Sequence, residues 1–94
     1  MKKRTKKQAA EELILGLALT PRQAETMLAL YALSHRRLTV VSSVELAAAL
    51  GVTRAAAWDA VRRLVQKGAA VAMQDGWALP VQVRAALRIV RGAA

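Results

Sequence analysis

Residues 44–64 read VELAAALGVTRAAAWDAVRRL and carry the strongest structural signal in the chain. Two segments with apolar residues at helical spacing are separated by one glycine. Gly51 permits the left-handed backbone that a tight turn between helices needs. The small Ala47 suits a close crossing of the two helices, and Ala57 and Val61 face the first helix from the second. The stretch therefore predicts a helix-turn-helix unit.

Helix caps extend this prediction along the chain. Ser42 with Glu45, and Thr20 with Gln23, have the spacing of a capping box, in which each side chain bonds the backbone amide of the other residue. Thr53 is placed to cap the second helix of the unit. Together with the apolar spacing, these signals predict helices at 8–18, 21–37, 44–50 and 53–68.

The C-terminal third predicts a small hairpin and a last helix. Segments 69–73 and 77–79 are apolar, and the Asp-Gly pair at 75–76 between them indicates a hairpin turn. The β-branched residues at 38–41 predict a short strand or extended link, and 80–91 predicts an amphipathic helix. The aromatic and methionine residues expected in the core are Met27, Tyr31, Met73 and Trp77.

This order of elements predicts a winged helix-turn-helix, a mainly α fold with a small β-hairpin in a single domain. A length of 94 residues accommodates one domain. Residues 1–7 are predicted to form a flexible basic arm and residues 8–94 the domain. The apolar run at 13–19 is too short to span a bilayer and follows two glutamates, which disfavours a secretory signal. We expect a cytoplasmic protein with no membrane partner.

Composition limits the function classes. The formal net charge of +9 indicates a polyanionic partner, either nucleic acid or an acidic membrane surface. The chain has no cysteine and one histidine, His35, and it has no glycine-rich phosphate loop. A metal site or a nucleophile–base pair would have few residues to draw on. We therefore expect neither an enzyme nor a metal or other cofactor.

Four segments carry a resemblance to known families. Residues 50–58, LGVTRAAAW, with VRRL at 61–64 and GWALP at 76–80, resemble the DNA-binding domain of the biotin repressor family. Residues 19–24, LTPRQA, are similar to the first helix of MarR-type regulators, and both patterns resemble small plasmid repressors of the KorA type. The resemblance covers about residues 19–80 and implies a winged helix-turn-helix bacterial transcription regulator. It implies no biotin chemistry, since the biotin-binding and ligase portions have no counterpart here.

The resemblance implies that the second helix of the unit enters the major groove of DNA. Arg54 is the strongest candidate for base reading, because a guanidinium pairs bidentately with guanine. Asp59 either accepts from a cytosine amino group or holds Arg62 or Arg63 by a salt bridge. Trp58 either contacts thymine methyls or the sugar edge, or covers the wing or a partner subunit. The predicted DNA-contacting residues are Lys2, Lys3, Arg4, Lys6, Lys7, Ser42, Ser43, Thr53, Arg54, Ala55, Trp58, Asp59, Arg62, Arg63 and Gln74.

The wing and the basic arm leave alternatives open. The wing tip at 74–76 reads QDG and has no positive charge, whereas wings that enter the minor groove often present arginine or lysine. The arm at 2–7 either takes that role or is a solubilising tail. On the last helix, Val83, Leu87 and Val90 share a face and predict a dimer seam. The alternative is that this helix folds back on its own domain.

These observations predict a sequence-specific regulator that binds double-stranded DNA at the nucleoid. A homodimeric autorepressor on a palindromic operator, of plasmid or phage origin, fits the size and charge best. One alternative is a DNA segregation or architectural protein that coats repeated sites. Another is a phage or plasmid inhibitor whose winged helix binds a host protein.

Overall fold

The computed structural model describes residues 5–36 and 40–92, which form five helices and one two-stranded antiparallel hairpin. This part of the chain is mainly helical and has the layout of a winged helix-turn-helix in one small domain, so the predicted fold class is confirmed. The elements are α1 (Lys6–Gly16), α2 (Pro21–Arg36), α3 (Ser43–Leu50), α4 (Arg54–Gln66), β1 (Val71–Met73), β2 (Gly76–Ala78) and α5 (Val81–Val90).

Capping boxes begin α2 and α3 as predicted. At α2, the Thr20 amide donates to Gln23 Oε1 at 3.0 Å, and the Gln23 amide donates to Thr20 Oγ1 at 3.2 Å. At α3, Ser42 and Glu45 make the same reciprocal pair at 3.3 and 3.2 Å. Each box satisfies two backbone amides that would otherwise lack a partner at the helix start.

Helix α1 begins earlier than predicted, which corrects the extent of the basic arm. Thr5 Oγ1 accepts from the Gln8 amide and Gln8 Oε1 accepts from the Thr5 amide, both at 3.0 Å. This third capping box places Lys6 and Lys7 in the first turn of a helix instead of in an arm spanning 1–7. The arm residues that lie outside the described part of the chain are Lys2, Lys3 and Arg4.

The helix-turn-helix unit consists of α3, a turn at Gly51 and α4. Gly51 has a φ of 67°, in the left-handed region that glycine adopts without a steric penalty. The Val52 amide then donates to the Ala47 carbonyl at 3.1 Å and closes the turn. Ala47, Ala57 and Val61 are all buried, as their predicted positions between the two helices require.

The hairpin is joined to a third chain segment at Val41. The Val41 amide donates to the Trp77 carbonyl at 2.8 Å, and the Trp77 amide donates back to the Val41 carbonyl at 2.9 Å. A Cβ placed on Gly76 would lie 2.1 Å from the Val41 carbonyl oxygen, so only glycine fits at this crossing. Of the strand predicted at 38–41, Val41 makes this bridge, and residues 38 and 39 lie outside the described part.

The predicted core residues divide into buried and exposed members. Trp77 is 4% exposed and Met27 is buried, as predicted, while Tyr31 is partly buried against the same core. Met73 is 47% exposed, so its predicted place in the core is wrong. The reason is that every residue of β1 is exposed, so this strand has no side chain in the core.

Helix α5 packs against α1 of the same chain, and this corrects the predicted dimer seam. Val83 is 1% and Leu87 is 2% exposed, and both belong to the main hydrophobic core. Because their own domain already covers them, they are not available to a partner subunit. Val90 lies at the surface. The alternative, that this helix folds back on its own domain, describes the structure.

Candidate nucleic-acid interface

The N-terminal half of α4 lies at the surface of the domain. Thr53 caps the helix as predicted, and its hydroxyl oxygen accepts from the Ala56 amide at 3.1 Å. Arg54, Ala55 and Trp58 follow as exposed residues, while the opposite side of the helix is buried. The first turn of a helix carries a partial positive charge. This end of α4 therefore favours an anionic or electron-rich partner.

Arg54 links the starts of the two helices of the unit. Its Nη2 donates to Ser43 Oγ at 3.2 Å across an exposed surface, and Ser43 is the first residue of α3. A neutral hydroxyl does not compensate the positive charge of the guanidinium, and one contact leaves further N–H donors of its five for an external acceptor. The geometry is compatible with the bidentate contact predicted for Arg54.

Ser42 differs from Ser43 in the partners of its hydroxyl, although both residues are partly buried. Its hydroxyl accepts from the Glu45 amide at 3.2 Å and donates to Glu45 Oε1 at 3.0 Å, both in a partly buried setting. These two bonds occupy the hydroxyl within the capping box. Ser42 therefore has a structural role at the start of α3, and its predicted phosphate contact stays a prediction.

Asp59 pairs with the two arginines that follow it on α4. Asp59 Oδ1 accepts from Arg62 Nη2 at 3.0 Å, and Asp59 Oδ2 accepts from Arg63 Nε at 3.5 Å. The salt-bridge alternative predicted for Asp59 is the one that the structure contains. All three side chains are more than half exposed, and the triplet retains one net positive charge on the surface of α4.

Trp58 is held against the wing by an aromatic contact. Its ring meets that of Trp77 edge to face, with centroids 4.7 Å apart and an interplanar angle of 83°. This is a favourable geometry for two aromatic rings. Trp58 nevertheless remains 53% exposed, although Trp77 is buried. The contact fixes the orientation of Trp58 and leaves about half of the side chain open to a partner.

An open cleft of about 280 Å³ lies between the wing and the first residues of α3 and α4. Arg54 and Trp58 line one side of it, and Met73, Gln74 and Asp75 line the other. Gln74, a predicted DNA contact, is exposed at this edge. The wing sequence has no lysine or arginine between 71 and 78. The positive charge around the cleft comes from the helices, as the sequence of the wing tip predicted.

Lys67 has a positioning role that the sequence did not reveal. Its Nζ donates to the Ala18 carbonyl at 2.5 Å and to Gln23 Oε1 at 2.8 Å. Gln23 is also the partner of Thr20 in the capping box of α2, so this contact ties the end of α4 to the connection between α1 and α2. Ala18 has a φ of 51°, which is uncommon for a residue other than glycine. No local pattern could have predicted a contact between residues so far apart in the chain.

Residues 5–36 and 40–92 contain no group of three or more metal-ligating side chains placed to hold an ion. Within the same residues, no helix is both long and apolar enough to cross a bilayer. Comparisons with protein-family models, curated proteins and solved structures find no match to this chain. The exposed residues of α4 and the cleft beside them remain the candidate functional site.

Proposed function

We propose that this protein is a sequence-specific regulator of transcription that binds double-stranded DNA through α4. The observation that carries the proposal is the uncovered N-terminal half of α4, where Arg54, Ala55 and Trp58 are exposed beside a helix start. A net charge of +9 on 94 residues favours a polyanion as the partner. The protein binds DNA without catalysing a reaction and acts in the cytoplasm, at the nucleoid.

Each exposed residue has a distinct role in this proposal. Arg54 pairs with guanine in the major groove. Thr53 and Ser43 lie at the starts of α4 and α3, where hydroxyls and helix amides contact backbone phosphates. Arg62 and Arg63 supply phosphate contacts after partial neutralisation by Asp59. Phosphate contacts supply much of the affinity and make binding steeply dependent on salt.

Repression requires only that the protein occupy a site that RNA polymerase also needs. Two copies on a palindromic operator would place their recognition helices about 34–36 Å apart, one turn of DNA. A second copy would have to dock on a surface other than the one predicted, because Val83 and Leu87 lie in the core. We propose a homodimer on DNA, with its contacts outside that pair.

The first test is selection of duplexes from a random-sequence pool, followed by affinity measurements on the enriched site. Arg54→Ala is expected to weaken the enriched site by about 1–3 kcal/mol and to weaken random duplex less. Arg91→Ala removes the same charge from the end of α5, which packs on α1, and serves as the matched control. If Arg54→Ala lowered the affinity for enriched and random DNA equally, Arg54 would not be a base-reading residue.

A second candidate function is supported by the apolar side of the wing. Val71 and Met73 on β1 and Trp58 on α4 are large exposed hydrophobic residues, and the wing sequence has no basic side chain. Such a surface also suits a protein partner. An inhibitor that binds a host protein would enrich no duplex even at low salt, which separates it from the first proposal.

A further inference from the structure

A shallow hollow on α4 contains apolar surface as well as charged side chains. It is lined by Ala55, Trp58, Asp59 and Arg62 and lies on the face that we propose for the major groove. Asp59 in this hollow already accepts from two guanidinium groups. Each oxygen of its carboxylate thus already faces a guanidinium of α4, and the apolar surfaces of the hollow are the alanine methyl and the indole ring.

The position of Trp58 on α4 places this apolar surface between two positive charges. Arg54 lies one helical turn before Trp58 and Arg62 one turn after it, on neighbouring parts of the same helix face. The contact with Trp77 holds the indole edge to face at 4.7 Å while the side chain stays 53% exposed. An apolar group carried by an anionic polymer fits this combination of charge and exposed ring.

In the major groove, the edge of a base pair offers one kind of apolar group, the C5-methyl of a pyrimidine. We infer that Trp58 and Ala55 form a recognition surface for the C5-methyl group of thymine, and that the preferred site contains thymine close to the guanine bound by Arg54. Four residues of α-helix advance about 6 Å, or close to two base-pair steps. This inference rests on the proposed DNA-binding function and specifies a base within its site.

The test replaces each thymine of the enriched duplex by deoxyuridine, one at a time, which removes only the methyl group. At one or two positions near the Arg54-dependent guanine, the wild-type chain is expected to bind about fourfold more weakly, the value of one buried methyl group. In Trp58→Ala the same replacement should change affinity by less than about 1.5-fold, because the two deletions remove the same contact.

A second arm separates the methyl group from the rest of the base. The sensitive T·A pair is replaced by C·G, with either cytosine or 5-methylcytosine. The methylated duplex is expected to bind the wild-type chain about fourfold more tightly than the unmethylated one, again through a single methyl contact. Thymine and 5-methylcytosine carry the same group, so this arm shows whether the hollow also senses methylated DNA.

The outcomes distinguish this inference from the proposal beneath it. If no uridine replacement weakens binding while Arg54→Ala still relaxes the selected site, recognition of the methyl is wrong and DNA binding stands. An enriched site without thymine near that guanine has the same meaning. If no duplex is enriched, both methyl recognition and DNA binding are wrong, and the result favours a protein as the partner of the hollow. The uridine scan uses the wild-type chain, so it does not depend on how Trp58→Ala folds.

Discussion

Replacing Gly76 by alanine tests the contact that joins the wing to the rest of the domain. The new Cβ would lie 2.1 Å from the Val41 carbonyl oxygen and 2.7 Å from its carbonyl carbon, and both are backbone atoms. The segment at Val41 and the strand β2 would have to move apart by about 1 Å. The hydrogen bonds between Val41 and Trp77, now 2.8 and 2.9 Å, would then exceed the distances of normal hydrogen bonds.

The loss can be estimated from these two bonds and the packing around them. Each backbone hydrogen bond contributes about 0.5–1.5 kcal/mol net, and displacement of the buried Val41 and Trp77 adds to that loss. We expect Gly76→Ala to lower the free energy of unfolding by about 2–4 kcal/mol. For a domain of this size, that corresponds to a fall in Tm of about 8–32 °C.

Thermal unfolding followed by circular dichroism measures this effect, and two other glycines are matched controls. Gly51→Ala meets no atom within 4 Å but must hold a φ of 67°, so it should cost about 1–2 kcal/mol. Gly16→Ala meets no close atom at the end of α1 and should be neutral or slightly stabilising. A Gly76→Ala protein that melts within about 3 °C of wild type would refute the crossing of Val41 and the wing.

Two further predictions concern charged residues on and after α4. Lys67→Met should lower the free energy of unfolding by about 1 kcal/mol, because the Ala18 carbonyl and Gln23 lose a donor; an unchanged urea midpoint would show that the contact contributes nothing. Asp59→Asn should leave stability within about 0.5 kcal/mol, since the pairs of Asp59 with Arg62 and Arg63 are exposed. The same change should steepen the salt dependence of DNA binding by about one charge, and a slope equal to that of wild type would place these arginines away from the phosphates.

Helix starts and the tight turn were predictable because their signals are local. Thr20 and Gln23, like Ser42 and Glu45, are three residues apart, so their reciprocal bonds depend little on the rest of the fold. The left-handed turn at Gly51 is local in the same sense. The capping box at residues 5–8 carried the same pattern, and recognising it would have placed the start of α1 correctly.

The sequence predicted which residues form the candidate site, but it predicted only some of the contacts between them. Helical spacing placed Arg54 and Trp58 outward on α4, and both are exposed. Spacing also brought Asp59 within reach of its two arginines. The ring contact between Trp58 and Trp77 joins a helix to a wing. Its geometry depends on how the hairpin packs, which no pattern along the chain records.

The amino-acid sequence by itself determined where helices begin, where they turn and which faces are apolar, since these properties depend on neighbours within a few residues. Only the tertiary structure decided what covers each apolar face. The face of α5 bearing Val83 and Leu87 fits a partner subunit or its own domain equally well by periodicity, and α1 covers it. On β1, Met73 stays exposed, because burial is set by contacts between segments distant in the chain.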